Sequence, residues 1–107
     1  MAKIIFRQEA IHDLNEIWSY TFKKWSENQA DNYYSILEFA CIQLGENPEL
    51  GKNYDGIENN LLGLRTGKHI IFYHVISKQE IEIIRILHEQ MDLKNGLKNK
   101  IIAGRHF

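Results

Sequence analysis

Four side chains in this 107-residue chain carry the chemistry worth asking about: Arg65, Tyr73, Arg85 and His88. A phosphodiester bond is cleaved through a neighbouring 2′-hydroxyl when a base, an acid and cations for the crowded phosphate converge, and His, Tyr and Arg can fill those roles. The same residues have a structural reading, which we prefer. Arg85 lies among aliphatics in IEIIRILH, where it suits a carboxylate partner or a partner-facing role, and Tyr73 in HIIFYHVIS suits packing.

Other chemistries find less support. The histidines at 12, 69, 74, 88 and 106 form no metal pair at helical spacing, and His69 and His74, an odd number apart on one strand, face opposite ways. His88 and Asp92 can meet only if a helical turn succeeds the strand, and two ligands do not make a metal site. No nucleophile elbow surrounds a serine, and there is no Walker loop or Rossmann glycine pattern, so no cofactor is expected. Cys41, the only cysteine, excludes an internal disulfide and fits a helix stripe as a small hydrophobe.

The elements that must position these residues can be read from periodicity. His69 to Asp92 contains two runs rich in Ile, Val, Phe and Tyr broken by Ser77, Lys78 and Gln79, which predicts an antiparallel hairpin. Ahead of it, Leu61 to Thr66 alternates as a strand, with Leu62 and Leu64 on one face, and Gly67-Lys68 supplies a tight turn. Lys3 to Arg7 is β-prone and pairs with a strand distant in sequence. From Gln8 the spacing of Ile11, Leu14, Ile17, Trp18, Phe22 and Trp25 predicts an amphipathic helix with Asp13 off the apolar stripe. Ser26 to Gln29 fits a capping box, and Ala30, Tyr33, Tyr34, Leu37, Cys41 and Leu44 form the stripe of a second helix that ends near Asn47-Pro48. Gly51 to Asn60 reads as the longest loop. The order β-α-α-β-β-β predicts an α+β fold, a helical hairpin on one face of a mainly antiparallel sheet.

Both sides of the strand around Phe72 carry apolar groups, yet only one helical layer is available. Something else is therefore expected to cover part of the second face, and a partner segment is a candidate.

Composition narrows the field. One domain is expected over residues 1–94, with a basic tail over 95–107 that is either partly disordered or a short docked helix. A formal charge of -1 lacks the footprint of a sequence-specific duplex binder. No run approaches the roughly 20 apolar residues of a membrane helix. With no secretory leader and one cysteine, the expected location is the cytoplasm.

The chain resembles the RelE/ParE superfamily, and within it the ParE branch. The resemblance runs through Ala10, Asp13-Leu14, Ile17 and Tyr20, then Asn47-Pro48, Gly51, Leu64-Arg65 and Ile71-Phe72-Tyr73. It is most specific in Ile83-Ile84-Arg85-Ile86-Leu87-His88 with Met91-Asp92, and it covers about residues 1 to 93. It implies a toxin of a type II toxin-antitoxin system, neutralised by a ParD-like antitoxin and acting on DNA gyrase through its A subunit as a protein inhibitor, not a catalyst. On that reading the target-binding edge is Arg85, His88, Met91 and Asp92. The RelE branch implies a ribosome-dependent mRNA endoribonuclease, for which Arg65, Tyr73, Arg85 and His88 are the candidate set, but the near-neutral charge favours gyrase. The antitoxin is expected to lie across the sheet and against the helical hairpin. Gln8 stands where many members carry Ser or another small cap, a departure that bears on the helix start.

Overall fold

The computed structural model describes residues 1–90. Strand β1 (Lys3–Phe6) is succeeded by helices α1 (Gln8–Lys24) and α2 (Glu27–Glu46), a single 3-10 turn (Pro48–Leu50), the two-residue strand β2 (Lys52–Asn53), and strands β3 (Leu62–Thr66), β4 (His69–Ser77) and β5 (Glu80–His88). The five strands form one sheet in the order β1-β5-β4-β3-β2, with β1 parallel to β5 and the other pairs antiparallel. The α+β architecture expected from the sequence is the one found, with β2 added. The expectations for the tail over 95–107, and for Met91 and Asp92, lie outside the described residues.

The helical boundary is set by Ser26, whose Oγ accepts the Gln29 amide at 3.1 Å and so satisfies one of the open donors of α2. The predicted α2 stripe is the buried one: Ala30, Leu37, Cys41 and Leu44 are buried and Tyr33 and Tyr34 half-buried. In α1 the stripe is rotated from expectation. Ala10, Asp13 and Leu14 are buried, whereas Ile11, Phe22 and Trp25 face solvent, Trp25 at 64%. Aromatic size drew the sequence reading to the wrong side. A small Ala10 lets α1 approach the sheet, and Asp13 is held inside by the charge of Arg85.

The sheet has two cores. On the helical side Leu14, Leu37, Cys41 and Leu44 pack on Ile71, Tyr73, Ile81, Ile83 and Ile86. On the other side Ile70, Phe72, Ile84 and Leu87 pack beneath Leu61, with Tyr54 and Ile57 alongside. Strict alternation along β5 fails because the register shifts: Phe72 pairs with Arg85 while Tyr73 pairs with Ile83, leaving Ile84 as an extra residue. A bulge of this kind inserts one residue and re-aims the remainder of the strand. Ile83 and Ile86 therefore share one core while Ile84 and Leu87 share the other.

The expected foreign cover for the second face around Phe72 is overturned. The chain folds its own loop, residues 54–61, over that face, and Ile70, Phe72, Ile84 and Leu87 are all buried. Gly63 makes this closure feasible, because a Cβ there would lie 2.7 Å from the Tyr54 ring. Bare of a side chain, it lets Tyr54 settle edge-on against Phe72 at 5.3 Å between centroids. Exposed large apolar groups lie elsewhere, on the outer sides of the helices (Phe22, Phe39, Ile42), at the cleft between the hairpin and the sheet end (Trp25, Ile36) and at the far end of β4 (Val75, Ile76).

Candidate target-binding edge

Arg85 is positioned by the bulge and by the early end of β1. Strand β1 reaches only Phe6 opposite Ile83, with the Arg7 amide making a last bond to the Ile83 carbonyl at 2.9 Å. Past that point β5 has no strand neighbour on this side among the described residues, and a side chain of α1 takes the vacant place. The Asp13 carboxylate accepts Arg85 Nε and Nη2 at 2.8 Å each and the Ile86 backbone amide at 3.0 Å. The guanidinium fork matches the carboxylate, and both side chains are largely buried. This hydrogen bonding, opposed in part by burial, raises the Arg85 pKa further above its ordinary value.

Arg65 reaches the same edge differently. Its guanidinium holds Glu89 through Nε at 2.9 Å and Nη2 at 2.6 Å, but the Arg65 side chain is 70% exposed, so the pair contributes little to stability.

The end of the sheet is closed by two histidines. His69 opens β4 opposite His88, and their rings meet edge to face at 5.3 Å. Tyr33 of α2 joins them: its hydroxyl accepts the Lys68 amide at 3.0 Å and lies 2.7 Å from His69 Nδ1. The Thr66 carbonyl, at 3.5 Å, is the weaker acceptor for that hydroxyl proton. We therefore assign His69 its proton at Nε2, with Nδ1 accepting from Tyr33. Burial, and then the neighbouring His88, lower the His69 pKa to about 4, so the ring is neutral at pH 7. Burial raises that of Tyr33. Gly67, at φ +59°, makes the turn that brings Lys68 beneath Tyr33.

Two of the four sequence-selected residues, Arg85 and His88, line this edge, whereas Arg65, paired with Ile70 on the other face of the sheet, meets it only through Glu89. Tyr73 does not meet it. It is fully buried, and its hydroxyl donates to the Pro48 carbonyl at 2.6 Å while accepting the Gly51 amide at 3.0 Å, which ties the 3-10 turn to the sheet. It stands four residues along β4 from His69, about 13 Å away at the usual strand rise. The sequence reading missed Asp13, Tyr33 and His69 as members of the edge. Asp13 falls three after Ala10 and four before Ile17, a spacing that places it beside the buried face, and this was the one signal available.

Between the helical hairpin and this sheet end lies an open cleft of about 990 Å³, with Asp13, Tyr33, Lys68, His69, Arg85 and His88 among its walls. No three His, Cys, Asp or Glu side chains converge as metal ligands among the described residues. No helix there is long and apolar enough to cross a membrane. The arrangement offers a charge-paired ledge beside a partly aromatic cleft.

Comparison with known proteins gives the ledge a context. Residues 4–93 match the family described as ParE toxin of type II toxin-antitoxin system, parDE. The chain is 34% identical over 84 residues to Toxin ParE1 of Mycobacterium tuberculosis, covering 78% of this chain and 86% of that protein. It is 30% identical over 103 residues to Toxin ParE of Escherichia coli, covering 94% and 98%. It shares its fold with a chain in the solved structure of a chromosomal ParDE toxin-antitoxin system from P. aeruginosa, at a TM-score of 0.72 and 18% identity, over 82% of this chain and 96% of the other. Covered along most of its length by the family, and folded as a member of it, this chain belongs to the ParE toxins of type II toxin-antitoxin systems.

Proposed function

We propose that this toxin inhibits DNA gyrase in the cytoplasm by binding it, and that a ParD-like antitoxin keeps it inactive. Arg85, His88, Met91 and Asp92 form the target-binding edge in this reading, with Arg85 shaping the ledge through Asp13 and His88 presented at its surface. The observation that carries the reading is that the candidate cations and the candidate proton carrier Tyr73 are each committed to a partner within the chain. Arg85 is held by Asp13, Arg65 by Glu89, and the Tyr73 hydroxyl by Pro48 and Gly51. A phosphate-cleaving centre needs cations and proton carriers directed at one shared position, whereas a binding ledge needs them fixed in place.

The antitoxin's place in this proposal is on the helical hairpin, where Ile36, Phe39 and Ile42 of α2 and Phe22 of α1 stand exposed. Apolar groups in such number suit an apolar partner segment that folds as it binds. The His69–His88 pair beside the cleft is the feature that favours the second reading, a ribosome-dependent mRNA endoribonuclease with Arg65, Arg85 and His88 acting on the phosphate.

One paired assay separates them. Purified toxin is added to a gyrase supercoiling reaction and, separately, to a translating extract. Loss of supercoiling, reversed by the antitoxin, is the expected result. Intact supercoiling with codon-specific mRNA cuts replaces the first reading with the second.

A further inference from the structure

The charged walls of the cleft of about 990 Å³ balance one another, with Asp13, Glu16 and Glu89 against Lys24, Lys68 and Arg85. What the cleft can recognise therefore depends on which polar atoms stay open once its internal pairs are made. The carboxylates are engaged. Asp13 accepts two bonds from Arg85 and one from the Ile86 amide, Glu89 Oε2 is met twice by Arg65, and Glu16 Oε1 lies 3.1 Å from His12 Nε2. Donors are left over at the sheet end. Tyr33 gives its proton to His69 Nδ1, and the Gln90 amide donates to His88 Nδ1 at 3.1 Å, so each ring in its neutral form carries a proton on Nε2. Among the described residues neither Nε2 has a partner, and neither has Arg85 Nη1, since Asp13 takes only Nε and Nη2. His69 and His88 lie directly opposite each other in the β4–β5 ladder, so both rings rise from the same face of the sheet and border the cleft together.

We propose, resting on the reading of this edge as a protein-binding ledge, that it receives an acidic side chain of the partner: one carboxylate accepts the Nε2 protons of His69 and His88, while an apolar neighbour of that acid packs on Tyr20, Trp25 and Ile36. A carboxylate has two oxygens, so both bonds can be made at once to rings whose centroids are 5.3 Å apart. Three features select it over a phosphate of nucleic acid. The guanidinium fork that would clasp a phosphate is already filled by Asp13. His69, its pKa lowered to about 4 by burial and then by His88, is neutral at pH 7 and brings no cation to a dianion. Glu16 and Glu89 line the same cleft and repel a chain charged at every link, whereas Lys68 offsets the single charge of one carboxylate. Tyr20, Trp25 and Ile36 are exposed, and an apolar side chain next to the acid would cover them.

The test uses the full chain, isotope-enriched at its histidine ring nitrogens. The probe is the capped dipeptide N-acetyl-leucyl-glutamyl amide, whose only charge is the side-chain carboxylate. Both rings are expected in the Nε2–H form, and their Nε2 signals should shift saturably with the probe, with a dissociation constant in the millimolar range. The glutaminyl counterpart, alike in shape and uncharged, should bind about tenfold more weakly. His88→Phe should weaken the glutamyl dipeptide to the same degree, and His88→Gln, which keeps a donor, should retain most of the affinity; a ring that only supports the fold would not follow the donor in this way. An Nδ1–H form at either ring, equal binding of the two dipeptides, no saturable shift, or equal movement of His74 beside the loop residue Glu58 overturns the proposal. Tighter binding of inorganic phosphate or of a short single-stranded RNA at the same signals identifies a phosphate site and also overturns it. Gyrase inhibition is read separately: carboxylate binding with supercoiling intact keeps the receptor and dismisses gyrase, and inhibition without carboxylate binding does the reverse.

Discussion

The two faces of the sheet solve one problem by different means. The helical face buries a continuous, mostly aliphatic set from α1, α2, β4 and β5, flanked by half-buried side chains of β1 and β3, and it also encloses an ion pair. The opposite face is smaller, with four buried strand residues under a loop rich in Gly, Asn and Asp. Helices cover area through a repeating stripe, so many residues share the work. A loop covers it through a few anchors, here Tyr54, Ile57 and Leu61, and depends on each. The helical face should therefore carry most of the stability and the loop face most of the local opening.

That contrast is open to measurement, and the largest effect is expected at the ion pair. Arg85→Ala leaves Asp13 buried and uncompensated and should cost about 3–5 kcal/mol, read from urea unfolding. A loss near the level of an exposed pair would mean that Asp13 is well hydrated. Leu37→Ala, fully buried in the helical core, should cost about 2–5 kcal/mol, whereas Ile57→Ala in the loop cover should cost about 1 kcal/mol. Hydrogen exchange of Ile57→Ala should accelerate over residues 54–61 and leave α2 unchanged; acceleration across both would merge the two faces into one cooperative unit.

A smaller effect is expected from pH. Folded His69 binds its proton with a pKa of about 4, against an ordinary value of 6.5 in the unfolded chain. Between those values the unfolded chain holds more protons, so this contribution is complete above about pH 6.5 and is lost as pH falls toward 4. His69→Gln should flatten the difference in urea midpoint between pH 7 and pH 4.5 relative to the parent chain. An unchanged slope would place the titration elsewhere. The smallest change in stability, within about 0.5 kcal/mol, is expected for Phe39→Asp on the outer side of α2. The same substitution should weaken antitoxin binding at least tenfold by calorimetry, and unaltered affinity would remove α2 from the proposed contact.

Much of the scaffold is readable from the sequence because its signals are local. The Ser26 cap, the α2 stripe and the polar break at Lys78-Gln79 each depend on residues within a few positions of one another. The edge is harder, because its logic spans the chain. Asp13 reads as a solvent-facing residue until paired with Arg85, 72 positions away. The bulge at Ile84 has no composition signal, since it arises from matching β4 to β5 while β1 stops short. The loop cover escapes a sequence reading because Tyr54, Ile57 and Leu61 obey no period and sit among turn-forming residues.

The carboxylate that completes β5 has one more effect. A strand margin with free amides invites pairing by any extended peptide, and folds guard such margins in various ways. Here the Ile86 amide is already occupied by Asp13 and flanked by the charged Arg85 fork. An incoming strand would have to break a salt bridge before making its first hydrogen bond, so growth of the sheet past Phe6 is blocked at that margin. Recruitment by strand addition is left to the outer strands, β1 and β2.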